Sequence, residues 1–379
     1  MRRDTKLLVL GAGVMIAAAV VAIVILHVGP TRPSTHASEA PSSHAAAAPA
    51  ALGMPRVPAY VDRAESGISG DDPLTAYRRA NVYPPTSHPL TRDHDDLLHP
   101  NRRHETERPT NDDADTTFLF TANRYFVIGD QTLAATLDVH KLGAPVLVQI
   151  LAAYAVVHDA TQPNGVGPEL PIAFAGGGGS WSAVVAPSAF AQLSRQTTIG
   201  MYVEFATATA HQHAHFDFQY TPASGIPARF TGTFHDEIVD GSLVVHADVD
   251  VTRAGRYLID CNLYDDNNEP VAWARFKGDL AEGHATADLS FFGKVITDAN
   301  ASGPFHIGEL RGSRFDPGVE PDLEQMPPFT GTYATDSYPT TAFSTAEYDS
   351  PQKQQMIQLL SQEQARGVHL GAAGGDGLH

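Results

Sequence analysis

The sequence predicts an all-β chain of two tandem β-sandwiches, with an N-terminal transmembrane helix and a disordered stalk before them and a short helix after them. Three observations carry this reading. From Thr116 onward, short runs alternate apolar and polar residues with a period of two, as half-buried strands do. Clusters of Gly, Pro, Asn and Asp separate these runs, and the 32 Gly and 27 Pro in 379 residues supply the turns. One apolar run, Leu7 to Val28, is long enough to cross a bilayer.

That run is LLVLGAGVMIAAAVVAIVILHV and carries no formal charge. At about 1.5 Å per residue it spans a hydrocarbon core of about 30 Å. Arg2, Arg3 and Lys6 precede it and only Arg32 follows closely. This bias keeps the N-terminus in the cytoplasm and places the bulk outside, in a periplasm or at a cell surface. The competing reading is a cleaved signal peptide, whose apolar region is normally about 7 to 15 residues. The Ala-rich stretch at Ala45 to Ala51 lies well beyond the run, which favours an uncleaved anchor.

Residues 29–58 are rich in Pro, Ala, Ser and His and bury too little apolar surface to offset ordering entropy, so they read as a disordered linker. Residues 59–115 carry scattered apolar anchors among Asp71-Asp72-Pro73, Tyr83-Pro84-Pro85 and Asp93-His94-Asp95-Asp96, and read as an extended segment. His88, His94, His99 and His104 read there as solvated loop residues. His104-Glu105 lacks the second histidine that a zinc-protease motif needs.

The first sandwich is expected over 116–222. Leu133, Ala135, Leu137 and Val139 fall on one side of a strand, while the continuous apolar run Val146 to Val157 reads as a central strand covered on both faces. Ile172 to Phe174, Trp181 to Val185 and Met201 to Ala206 read as further strands. Gly176 to Gly179 reads as a hairpin loop, because no Lys-Ser/Thr pair follows to make a phosphate cradle. Phe216, Phe218 and Tyr220 share a face, and Thr221 to Pro227 reads as an elbow between the sandwiches.

The second sandwich, over 228–315, alternates more cleanly. Leu243, Val245, Ala247, Val249 and Val251 face one way and His246, Asp248 and Asp250 the other. Tyr257, Ile259, Cys261 and Leu263 continue the pattern, Asp265 to Glu269 turns, and Val271 to Phe276 returns as the partner strand. With Ala287 to Phe291 and Phe305 to Leu310, about seven strands fill about ninety residues, as in an immunoglobulin-like sandwich. In the segment 316–379, Ser350-Pro351 forms an N-cap with proline at the first helical position, which predicts a helix over about 351–366 ended by Gly367.

The stretch Gly255-Arg256-Tyr257-Leu258-Ile259 through Leu263-Tyr264, with Pro270-Val271-Ala272, Phe291-Phe292-Gly293-Lys294 and Gly303-Pro304-Phe305, resembles a family of exported bacterial proteins of unknown function. That family has tandem immunoglobulin-like domains and is related to modules called choice-of-anchor X. The resemblance covers Thr116 to Ser313 and is best in the second half. Its motifs are structural turns and core positions, so it implies a fold and an exported location, with no shared activity.

Composition excludes several functions. With 25 Lys and Arg against 43 Asp and Glu, the formal net charge of -18 repels nucleic-acid phosphates. The single cysteine, Cys261, supplies neither an intramolecular disulfide nor a Cys-rich metal site, and its inward position reads as a buried inert thiol. No Gly-x-Ser-x-Gly elbow occurs, and Gly67-Ile68-Ser69-Gly70 lies in the extended segment.

The one constellation for chemistry is His211, His213, His215 and Asp217, which alternate along a strand and are candidate metal ligands. Phe205 and Phe216 have opposite parity, so a turn through Thr209 to His213 is expected to break the row. Asp265 to Glu269 lacks the spacing and central glycine of a calcium loop. The sequence therefore predicts no cofactor and no enzyme. It predicts a membrane-anchored, extracytoplasmic module with a binding or structural role and an envelope protein or polysaccharide as partner. The alternatives are a metal-binding protein centred on the His-rich segment and an accessory subunit of an envelope complex contacted through the C-terminal helix.

Overall fold

The computed structural model describes residues 72–102, 104–110, 113–159 and 165–366, all within one compact unit, Gly67–His379. The expected anchor over Leu7–Val28 and the linker over 29–58 lie outside the described residues. Among the described residues no helix is long and apolar enough to cross a membrane.

The described part of the segment read as extended is built into the fold. Asp72 caps helix α1 (Pro73–Ala80), its Oδ1 accepting from the amides of Leu74 and Thr75 at 3.0 and 3.1 Å, and Pro73 opens the first turn. Strand β1 (Ser87–Pro89) and the short helix α2 (Asp95–Leu98) follow. Their apolar residues are too sparse for periodicity to reveal them, yet Leu90 and Leu97 are buried.

The first pair of sheets holds eleven strands: β2 (His104–Pro109), β3 (Thr116–Ala122), β4 (Phe126–Ile128), β5 (Leu133–Lys141), β6 (Ala144–Pro145), β7 (Gln149–His158), β8 (Val166–Pro171), β9 (Ala175–Gly177), β10 (Ser180–Val185), β11 (Thr197–Ala206) and β12 (His211–Thr221). One sheet runs β2-β3-β5-β10-β9, with β6 pairing β5, and the other runs β4-β12-β11-β7-β8. All pairings are antiparallel except β4 on β12. Phe120, Leu133, Leu137 and Val139 from the first sheet meet Ile199, Met201, Phe205, Phe216 and Phe218 from the second in one core.

Two expectations fail here for identifiable reasons. The run Val146 to Val157 starts its long strand only at Gln149, and just one face is covered, so Leu147 stays 78% and Leu151 40% exposed. Ile172 to Phe174 falls between β8 and β9. The pairing with β7 runs out after the Ile172 amide, which donates to the Ala153 carbonyl at 2.9 Å, and Ile172 and Phe174 pack against the core.

The second pair of sheets comprises β13 (Ala228–Val239), β14 (Ser242–Val251), β15 (Gly255–Tyr264), β16 (Pro270–Leu280), β17 (Gly283–Phe291), helix α3 (Gly293–Asp298), β18 (His306–Phe315), β19 (Leu323–Gln325) and β20 (Tyr333–Ala334). The orders are β13-β14-β17 and β1-β16-β15-β18-β19, with β20 pairing β18. The expected inward residues of β14 and β15 are all buried.

Strand β13 was not legible from periodicity, because a bulge between Phe230 and Phe234 shifts its register. Its signal is instead the turn Asp240-Gly241, both at positive φ (49° and 72°), which closes a two-residue hairpin between Val239 and Ser242. Gly241 also lets the chain at Ser344 approach, and the Ser344 amide donates to its carbonyl at 2.9 Å. Helix α4 (Pro351–Ala365) matches the expected span, with Ser350 capping the Lys353 amide at 3.1 Å. It packs against α1 rather than a sandwich face, and only Lys353 is buried. The Lys353 ammonium donates to the Asn81 and Tyr348 carbonyls at 2.7 and 2.6 Å.

Polar side chains join the two halves around 222–227. Gln196, on the approach to β11, donates to Gln219 and accepts from Thr221, each at 2.7 Å, and from the Gln325 amide at 2.6 Å. Beside it, the buried Glu324 carboxylate accepts from Arg253 and Arg314, each at 3.0 Å.

Cys261 is fully buried on β15, and burial pushes its thiol up, away from the reactive thiolate. In the native protein Cys261 is therefore expected to resist a thiol reagent at neutral pH and to react fully in denaturant. Stoichiometric labelling without denaturant would contradict the burial.

Candidate functional site

Two adjacent same-face residues on a strand lie about 7 Å apart. A histidine row on one strand therefore does not converge by itself, and its chemistry depends on what the neighbouring strands supply. The turn between Phe205 and Phe216 spans Thr207 to Ala210, ahead of the histidines, rather than Thr209 to His213. Thr207 fixes it by accepting from the amides of Thr209 and Ala210. The row is consequently unbroken. His211, His213, His215 and Asp217 all point outward from β12, while Gln212, Ala214, Phe216 and Phe218 point into the core.

Register then assigns each its neighbour on β11: Ala206 opposite His211, Glu204 opposite His213, Tyr202 opposite His215 and Gly200 opposite Asp217. His211 Nδ1 lies 3.5 Å from Glu204 Oε1. The His215 ring stacks on Tyr202 (centroids 5.6 Å, 11°), and Tyr202 stacks on Tyr154 of β7 (5.3 Å, 16°). The three rings form a ladder across β7, β11 and β12, held by cross-strand pairing. Gly200 makes room for it, because a Cβ there would lie 2.6 Å from the Tyr202 ring and 2.7 Å from His158 Nε2.

Asp217 ends the row. Its Oδ1 is buried, makes no hydrogen bond and lies 3.5 Å from His158 Nε2. Burial, then the Asp217 charge and Tyr154, raises the pKa of the Tyr202 hydroxyl, and burial with Asp217 does the same for Tyr125. Both phenols thus remain donors at neutral pH. The arrangement places hydroxyl donors, imidazole edges and a partly exposed carboxylate on one sheet face. Among the described residues no group of three or more His, Cys, Asp or Glu side chains comes together to hold a metal ion.

Sequence reasoning missed Tyr154, His158, Gly200, Tyr202 and Glu204, since only strand register brings them beside the row. It also read His104 as solvated. On β2, His104 is half-buried, with its ring 5.8 Å from Phe216 and 6.2 Å from Tyr125. Burial lowers its pKa, against an opposing pull from Asp217. A depressed folded-state pKa means the unfolded chain binds the extra proton first. The contribution of His104 to stability is therefore complete above the ordinary histidine value of about 6.5. It is lost as pH falls through the folded-state value. Unfolding free energies measured across pH 5 to 8 for the protein and for His104→Leu are expected to diverge in that sense; parallel curves would refute it.

No protein-family model matches the chain, and no curated protein matches it. Among solved structures, a DUF4785 family protein from Legionella pneumophila is similar at 15% identity, over 61% of this chain and 59% of that chain, with a TM-score of 0.41. The chain thus spans about three-fifths of that protein's length. The chicken CNTN1 FN1-FN3 domains are similar at 10% identity, over 56% and 65% of the two chains, with a TM-score of 0.24. The Pseudomonas aeruginosa CupB2 chaperone is similar at 12% identity, over 57% and 99%, with a TM-score of 0.19.

Proposed function

We propose that this chain is a membrane-anchored, extracytoplasmic β-sandwich protein that binds a partner of the bacterial cell envelope and performs no catalysis. The observation that supports it most is the outward face of β7, β11 and β12. There a stacked Tyr154-Tyr202-His215 ladder stands beside the partly exposed Asp217 carboxylate, an arrangement suited to a hydroxyl- or amide-rich ligand that stacks on the rings and donates to the carboxylate. A formal net charge of -18 argues against nucleic acid as that partner. The anchor rests on Leu7 to Val28 and its preceding basic residues. The narrower kinship with choice-of-anchor X modules rests on the turn and core residues around Gly255 to Phe305.

Deleting residues 7–28 is expected to release the chain from the membrane fraction, and protease added to intact cells or spheroplasts is expected to reach residues 72–366. A photo-crosslinker placed at Tyr202 is expected to capture an envelope protein or glycan that one at Val184 on the other sheet does not. Asp217→Asn should weaken that capture. A soluble full-length chain, or equal capture from both positions, would overturn the reading.

A further inference from the structure

On the second pair of sheets, β13, β14 and β17 bring His235, His246 and Asp288 into one cross-strand row. Glu237 follows two residues along β13 on the same face. The row has a feature that pairwise ion pairing does not resolve. His246 Nδ1 lies 2.8 Å from Asp288 Oδ1, a hydrogen bond in which the ring must donate to the carboxylate. The far nitrogen, Nε2, is buried, makes no hydrogen bond and lies 3.3 Å from Glu237 Oε1. In the neutral ring this sets two acceptor atoms against each other. Even with a proton on Nε2, the contact misses the near-linear geometry that a hydrogen bond requires.

A proton on Nε2 would give an ion pair with Glu237 without a hydrogen bond, whereas a metal ion would be bonded by both atoms. With ligand distances of about 2.0–2.1 Å and a near-tetrahedral angle, two donors on one zinc ion stand about 3.3 Å apart and need not point at each other. Asp288 occupies the place of the carboxylate that fixes the far nitrogen of a ligating histidine. A third donor is adjacent: the exposed His235 ring lies flat on His246 (centroids 4.1 Å, 12°) and has to turn edge-on to reach the ion. Asp248 and Asp250 stand farther along β14 on the same face, each 3.4 Å from His284. Their carboxylates add to a field that concentrates cations at this sheet.

We propose that His246 Nε2, Glu237 and His235 bind one divalent transition-metal ion of the zinc class, with water completing the coordination and Asp288 positioning His246. Imidazole with carboxylate suits zinc, nickel or copper better than calcium or magnesium. The site is distinct from the His211 to Asp217 row, and in it only two donors are set in advance, so binding must break the His235–His246 stack.

The test is a zinc titration of the whole purified chain after chelator treatment, with zinc chloride alone as the probe. One equivalent is expected to bind, and Glu237→Gln and His235→Ala, both exposed and so harmless to folding, should each weaken it at least about tenfold. Asp288→Asn should weaken it by about 10- to 100-fold, whereas a His211→Ala/His213→Ala double variant should bind as the parent does. Nitrogen-15 resonances of His246 should show Nε2 losing any proton when zinc is added. The proposal is overturned by absence of zinc uptake, by uptake indifferent to Glu237→Gln and His235→Ala, by uptake that depends on His211 and His213 instead, or by an Nε2 proton that persists in saturating zinc.

Discussion

Replacing Phe218 with alanine is expected to lower the unfolding free energy of the first pair of sheets by about 3–5 kcal/mol, the usual cost of emptying a fully buried phenylalanine site. Phe218 is 0% exposed and lies in the core formed by both sheets, 6.3 Å from Phe216. It sits on β12, whose cross-strand partners on β11 are rigidly registered, so the site has little freedom to collapse around the void. The two cores share no residue. Amide hydrogen exchange under denaturant is therefore expected to show lost protection over 197–221 with 243–263 nearly unchanged. An effect below about 1 kcal/mol, or equal losses in both regions, would show that the core is not organised in this way.

The second large effect is expected at Glu324. Its side chain is 3% exposed and lies between two guanidinium groups, Arg253 and Arg314. Removing one partner of a buried ion pair costs about 3–5 kcal/mol, because the charges left behind have lost both water and partner. Glu324→Ala should fall at the low end, since Arg314 keeps Asp316 at 3.0 Å and Arg253 keeps the Gly225 carbonyl. The adjacent Gln325 amide is held by Gln196 from the other half, so the same change should loosen the join. Thermal unfolding and limited proteolysis near Thr221 to Pro227 read the two effects. Unchanged cleavage there with a lowered Tm would confine Glu324 to the second half.

The parts of this fold that periodicity reaches are those with one wet and one dry face. Leu243 to Val251 and Tyr257 to Leu263 read directly as strands because every second side chain is core. Helix α4 read directly because a serine cap and a proline are local signals. Strand β1 did not, because an edge strand of three residues owes its conformation to a partner far along the chain, Ala272–Ala274; β2 did not, because its six residues, His104–Pro109, are almost all polar and hold their shape by pairing with Thr117–Ala122. The His211 to Asp217 row was legible as a composition. Its unbroken course was not, since the turn moved by a few residues once Thr207 captured the following amides. The Tyr154-Tyr202-His215 ladder was invisible for a deeper reason: its members are separated by 48 and 13 positions and become neighbours only through register.

The placement of α1 against α4 has a mechanical consequence. The Val82 carbonyl accepts from the Tyr348 amide at 2.9 Å, and Lys353 reaches across to Asn81, so the path into the sandwiches and the path out are fastened to each other. Tension applied between residues 72 and 366 would load this small clasp first and leave the long strand ladders slack until it opened. Under pull the molecule would behave as a latched loop, giving way at the clasp before either sandwich bears force.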